Sequence, residues 1–198
     1  MKLPEGLTVL TAEISDYNPT TLAMLSEAQR AEIEEIKLLK RKVERTLSYH
    51  LINRLTNTFP LLEHTAEGAP TLGAADMPFI SLSHSRKTVA LLSSRHGGIG
   101  IDVEGPTEKL CDIADRFVDT AELASFGGET LNLLRLWTIK EAVYKAANIQ
   151  GLPLIGGIKA RRIDAERSEI VVVDNGNIMH FTALSRTLSN GDVLTIAF

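Results

Sequence analysis

The feature that most constrains this chain is an apolar stripe. Ile33, Ile36, Leu39, Val43, Leu47, Leu51 and Leu55 recur at steps of three and four residues, the period that gathers side chains on one face of an α-helix. Ser26, with Gln29 three residues later, supplies a capping box for its start. The spacing predicts one continuous helix to about Asn57, on which Lys37, Arg41 and Arg45 form a neighbouring basic stripe. The dense run Lys37, Lys40, Arg41, Lys42 and Arg45 is read equally well as a solvated helix face. A second helical region follows later. Asp119 with Glu122 starts a short helix, and Leu133, Leu136, Trp137, Ile139 and Tyr144 mark another from about Glu129 to Asn148, closed by Gly151 and Pro153.

Between and after these helices the apolar runs are short. Leu7 to Ile14, Phe79 to Leu82, Thr88 to Leu92 and Ile99 to Val103 suit strands, with Asn18-Pro19 as a turn and Thr65 to Pro78 as a surface connection. Ile158–Ile163, Glu169–Val173, Ile178–Leu184 and Val193–Phe198 are further strands, separated at Asn175-Gly176 and Asn190-Gly191, both strong turn signals. Helix running into a small antiparallel sheet, met twice, is an α+β pattern. We divide the chain into an N-terminal half, 1–100, and a C-terminal half, 101–198.

Composition narrows the function. A net charge of −4 disfavours broad nucleic-acid binding. No run approaches the roughly 18 apolar residues of a membrane span, and the N-terminus lacks a secretory apolar region, so a cytoplasmic chain is expected. One cysteine, Cys111, excludes an internal disulfide.

Three constellations carry candidate chemistry. In Gly100-Ile101-Asp102-Val103-Glu104 alternate strand residues point the same way, so Asp102 and Glu104 leave one face together. Two like charges side by side suit a hard cation such as Mg²⁺; a strand end with two solvated acids has the same pattern. In Trp137-Thr138-Ile139-Lys140-Glu141-Ala142-Val143-Tyr144-Lys145, the residues Trp137, Glu141 and Lys145 stand four apart and share a helix face. That is either an ordinary Glu-to-Lys pair or a third carboxylate joined to a phosphate-binding lysine. Ile80-Ser81-Leu82-Ser83-His84-Ser85 runs a strand into hydroxyls and an imidazole, all able to donate to a phosphate. It has no nucleophile elbow and no evident acid partner for His84.

Taken in order, Ser83-His84-Ser85, Gly100-Ile101-Asp102-Val103-Glu104 and Trp137-x-x-Lys140-Glu141-Ala142-x-x-Lys145 resemble the motifs of the Sfp-type 4′-phosphopantetheinyl transferases. The likeness extends to Arg45-Thr46, to Ile113-Ala114-x-Arg116-Phe117 and to Gly151-Leu152-x-Leu154, covering most of residues 26–155. It implies two similar α+β halves related by a pseudo-twofold, in a monomer with coenzyme A between them. It also implies transfer of phosphopantetheine to an apo acyl, peptidyl or polyketide carrier protein. By motif position Asp102, Glu104 and Glu141 are the implied magnesium ligands, with Glu141 and Lys145 catalytic. Arg45, Thr46, Ser83, His84, Lys140 and Lys145 are the implied coenzyme A contacts.

One departure stands out. Where the family commonly has Gly-Lys-Pro, this chain has Gly68-Ala69-Pro70, and a phosphate-contacting lysine is missing. Two other readings therefore stand beside the transferase: a non-catalytic coenzyme A-binding protein, and a magnesium-dependent phosphohydrolase built on the three carboxylates.

Overall fold

The computed structural model describes residues 2–73 and 76–198, and the fold is α+β. Strand β1 (Leu7–Glu13) leads through a one-turn 3-10 helix to α1 (Pro19–Ala23), α2 (Glu27–Glu35) and α3 (Leu39–Thr56). Asn18-Pro19 is thus not a plain turn. The Asn18 side chain accepts from Thr20 and Thr21 N–H, and Pro19 opens the helix where a missing N–H costs nothing.

The continuous helix expected from Ser26 to Asn57 is interrupted. Its capped start at Ser26 and its end at Asn57, in the left-handed region, are present, but Ile36 and Leu38 are extended. The break lets α2 turn back onto α3. Gln29 Nε2 donates to Asn53 Oδ1 at 3.0 Å, and Arg45 pairs with Glu32 at 3.1 Å. On a straight helix Glu32 and Arg45 would lie about 20 Å apart. Lys37 therefore falls in the elbow, off the helix that carries Arg41 and Arg45, while Leu38 and Leu39 are exposed.

The segment expected as a plain connection, Thr65 to Pro78, carries β3 (Pro70–Thr71), which forms a small hairpin with β2 (Glu63–His64) just before it; Ala74 and Ala75 lie outside the described residues. Next come β4 (Phe79–His84), β5 (Thr88–Ser94) and β6 (Gly100–Glu104). Then follow α4 (Lys109–Asp112), α5 (Thr120–Phe126), α6 (Thr130–Ala147) and the strands β7 (Ile158–Arg162), β8 (Arg167–Asp174), β9 (Asn177–Thr187) and β10 (Val193–Ala197).

The sheets are unequal, one ordered β1-β5-β4 and the other β6-β10-β9-β8-β7, and every pairing within them is antiparallel. Helix α3 buries Leu47, Leu51 and Ile52 against Ile80, Val89 and Leu91 of the first sheet. Helix α6 buries Leu136, Ile139 and Val143 against Ile158, Ile170 and Val172 of the second. A third cluster joins the sheets: Ala90 and Leu92 of β5 meet Ile101 and Val103 of β6 and Leu194 and Ile196 of β10. Strand β5 is accordingly buried along its whole length.

The sheets abut where β4 lies beside β6. No carbonyl ladder is needed there, because hydroxyls take its place: Ile101 N–H donates to Ser81 Oγ at 3.1 Å and Val103 N–H to Ser83 Oγ at 3.2 Å. Both pairs advance in the same chain direction, so β4 and β6 run parallel. Among the described residues no helix is long and apolar enough to cross a membrane.

Candidate active site

A single oxygen joins the three sequence constellations. Oδ1 of Asp102 on β6 accepts from Ser83 Oγ of β4 at 2.9 Å and from Lys145 Nζ of α6 at 2.8 Å, and the same ammonium donates to Ile101 O at 2.8 Å. Lys145 therefore does not form the simple helix pair with Glu141 that four-residue spacing allows. It turns to the buried carboxylate, where a charge-assisted bond is stronger. The other Asp102 oxygen, Oδ2, is buried without a hydrogen-bond partner.

Glu104 and Glu141 share the field of Asp102. Burial raises the proton affinity of each above the ordinary carboxylate value; the Asp102 charge adds to the rise and Lys145 opposes it. Glu104 also feels the charge of Asp192. The donor set is chemically suited to a hard divalent cation: three carboxylates short of positive charge, one with an unpaired buried oxygen. Among the described residues, no three or more His, Cys, Asp or Glu side chains are placed together so as to hold a metal ion.

His84 lies on the other side of β4. Its Nε2 accepts from Arg41 at 2.9 Å and its Nδ1 faces Glu44 Oε1 at 3.4 Å. An arginine cannot accept, so the neutral ring carries its proton on Nδ1. Burial lowers the proton affinity of His84; Glu44 opposes this, and Arg41 and Lys40 add to it. Glu44 is thus the acid partner that the sequence did not reveal. It is buried and also pairs with Arg41 at 3.1 Å and Lys40 at 3.5 Å, one turn before it on α3. Its three- and four-residue spacing from those cations was the available signal.

Three expected coenzyme A contacts are engaged elsewhere. The Lys140 side chain is fully buried, donating to Glu122 Oε2 at 2.7 Å and to Leu154 O at 2.7 Å. Glu122 in turn accepts from Ala160 N–H at 3.0 Å and caps α5 at Asp119. Lys140 pins α5 and the loop after α6 to each other and faces no cleft. The Thr46 hydroxyl is also buried and donates to Lys42 O at 2.8 Å, within its own helix. Arg45 is held by Glu32 and lies over the Tyr49 ring at 5.9 Å; the Tyr49 hydroxyl also donates to Glu32.

A cavity of about 700 Å³ opens beside the junction, lined by the β2–β3 hairpin, Ser81, Ile99 and the end of α6. Lys145 reaches it and Ala69 lies on its wall, whereas Asp102, Glu104 and Glu141 do not line it. The cavity is connected to Asp102 through Lys145, which lines the one and donates to the other. Trp137, the first residue of the third constellation, packs edge-on to Phe117 at 5.1 Å and is part of the core behind the site.

Residues 98–190 match the family described as the 4′-phosphopantetheinyl transferase superfamily. The chain is similar to the 4′-phosphopantetheinyl transferases AcpT of Salmonella typhi and Salmonella typhimurium, each 30% identical over 102 residues. Those alignments cover 48% of this chain and 53% of each relative, so the chain spans about half the length of the curated relatives it matches. Asp102, Glu104, Glu141 and Lys145 fall inside the matched segment; Arg45, Ser83 and His84 precede it.

Proposed function

We propose that this chain, whose residues 98–190 match the 4′-phosphopantetheinyl transferase superfamily, is a member of that superfamily and transfers the phosphopantetheine group of coenzyme A to a serine of an apo carrier protein. The observation that carries this reading is the meeting of Ser83, Asp102 and Lys145 at one oxygen. A hydroxyl, an acid and an ammonium from three separate elements converge beside a cavity large enough for an extended nucleotide. The Sfp type, a monomeric state and the two-half division near residue 100 belong to the same reading.

In this mechanism Asp102, Glu104 and Glu141 would hold Mg²⁺, which would supply positive charge to offset that of the pyrophosphate. Glu141, whose raised proton affinity suits a base, takes the proton from the carrier serine, directly or through water. The serine oxygen forms a bond to the phosphorus bearing the pantetheine arm. The bond from that phosphorus to the bridging oxygen breaks, and adenosine 3′,5′-bisphosphate leaves. Lys145, at the cavity edge, places positive charge beside the departing phosphate. Arg41, oriented by His84, offers guanidinium donors to other phosphate oxygens of coenzyme A from the α3 side.

Intact-mass analysis of apo carrier proteins incubated with this protein, coenzyme A and Mg²⁺ tests the reading. The expected result is a gain of one phosphopantetheinyl group, abolished by EDTA. Coenzyme A binding without modification of any acyl, peptidyl or polyketide carrier overturns transfer; release of the adenosine bisphosphate without a carrier points to hydrolysis.

A further inference from the structure

The Ser83–Ser85 segment is anchored on both sides of His84, and its second anchor lies outside every sequence motif. Asp192 sits between β9 and β10, is 1% exposed, and is 107 residues from Ser85 in the chain. Its Oδ2 accepts from Ser85 Oγ at 2.5 Å and from Thr88 Oγ1 at 2.8 Å. Ser85 Oγ itself accepts from the N–H groups of Lys87 at 3.0 Å and Thr88 at 2.9 Å. The turn between β4 and β5 is thus organised around one carboxylate oxygen.

The neighbours reinforce the attachment. Lys87 Nζ donates to Asn190 O at 2.6 Å, Asn190 Nδ2 donates to Thr88 Oγ1 at 2.9 Å, and Asp192 N–H donates to Asn190 Oδ1 at 3.0 Å. The second carboxylate oxygen, Oδ1, is buried without a hydrogen bond, and a β-carbon on Gly105 would lie 3.0 Å from it. Burying a carboxylate with one oxygen unpaired is costly. A merely solvated loop acid carries no such cost.

We propose that Asp192 is a positioning residue for the His84 side of the binding site. Ser83 is tied to Asp102 and Val103 on β6, and Ser85 to Asp192, so both serines turn toward the C-terminal sheet. Side chains alternate along a strand. His84 must then face α3, where it meets Arg41 and Glu44. Asp192 holds that register from a distant loop, next to the end of the strand that carries Asp102 and Glu104. What His84 does for a ligand rests on the transferase reading; the clamp rests on the protein's own bonds.

The experiment compares the wild type with Asp192→Ala, Asp192→Asn and Gly105→Ala. The amide variant keeps an oxygen that can accept both hydroxyls, and the glycine variant presses a methyl on Oδ1, perturbing the clamp mildly if Asp192→Ala folds poorly. Amide hydrogen exchange at Lys87 and Thr88, in protein alone, reads the clamp. Calorimetric coenzyme A affinity, with KM and kcat on one carrier, reads its consequence. Asp192→Ala is expected to speed exchange at both amides and to weaken coenzyme A binding about tenfold, the order expected for lost hydrogen bonding. Its kcat at saturating coenzyme A stays within about threefold, the signature of lost uniform binding. Gly105→Ala shifts the same way by less, and Asp192→Asn stays near wild type.

Unchanged exchange in Asp192→Ala overturns the clamp. Faster exchange with unchanged coenzyme A affinity reduces Asp192 to a folding residue. Asp192→Asn failing as badly as Asp192→Ala shows that charge matters rather than the accepting oxygen. Should the wild type bind no coenzyme A, the transferase reading falls, while the exchange measurement still decides whether Asp192 holds the turn.

Discussion

A β-carbon on Gly100 would lie 1.9 Å from the backbone carbonyl oxygen of Ala142 and 2.8 Å from Ala146 N. The start of β6 and the last turns of α6 are therefore in backbone contact, which is what brings Glu141 and Lys145 over Asp102. Gly100→Ala is expected to destabilise the fold by about 3 kcal/mol or more, since neither backbone can move aside without unpacking α6. Urea unfolding checks this; a variant with an unchanged midpoint would show that the close approach is not required.

Lys140 and Lys145 stand five residues apart on one helix and are expected to fail differently. Lys140→Met leaves Glu122 buried without its cation, and removing one partner of a buried pair typically costs about 3–5 kcal/mol. Coenzyme A affinity of the folded fraction should not change. Calorimetry on Lys140→Met showing a large loss of affinity, with stability retained, would return this lysine to the binding site.

Lys145→Met removes the charged donor from Asp102 and Ile101 O. Loss of a hydrogen bond to a charged group costs about 1.5–3 kcal/mol, and transfer should fall together with stability. Restoration of stability but not of transfer in the double variant Lys145→Met, Asp102→Asn would separate the two roles.

The proton affinities of Glu104 and Glu141 lie above the ordinary value of 4.5, because burial and Asp102 disfavour their charged forms. The folded chain thus binds these protons more tightly than the unfolded one. Their contribution to stability falls as pH rises from about 4.5 through the raised folded values, and the penalty is complete above them. Glu129, Asp164 and Glu169 are shifted the other way, so the informative quantity is the difference between wild type and Glu141→Gln. That variant is expected to be the more stable at pH 7 in metal-free buffer, to lose the difference near pH 4, and to lack transfer activity. Added Mg²⁺ should raise the melting temperature of the wild type more than that of the variant. Superimposable pH profiles would remove Glu141 from the charged cluster.

Arg45 reaches Glu32 rather than open solvent. If it serves a coenzyme A phosphate, the ligand must displace that carboxylate. Glu32→Gln is then expected to tighten coenzyme A binding by a few-fold, an amount typical of a partly exposed ion pair, with Arg45→Ala weakening it. Titration of both variants with coenzyme A decides; no change in either leaves Arg45 as a brace between α2 and α3.

What the sequence determined by itself is local. The capping boxes at Ser26 and Asp119, the ends of α3 and α6 at Asn57 and Asn148, and the strand alternation that sets Asp102 beside Glu104 depend on residues a few positions apart. Spacing carries that information, so these elements were legible, as was the order of the three constellations. Tertiary structure decided the rest. The elbow at Ile36–Leu38 exists because α2 gains Asn53 and Arg45 by folding back, a gain invisible to helical periodicity, which continues unbroken through the elbow. Lys140 and Lys145 occupy equivalent-looking places in one motif, yet one meets Glu122 in the core and the other Asp102 at the cleft. Asp192 carries no local mark at all: its meaning comes from hydroxyls more than a hundred residues away, and only the packing of two sheets brings them within hydrogen-bonding distance.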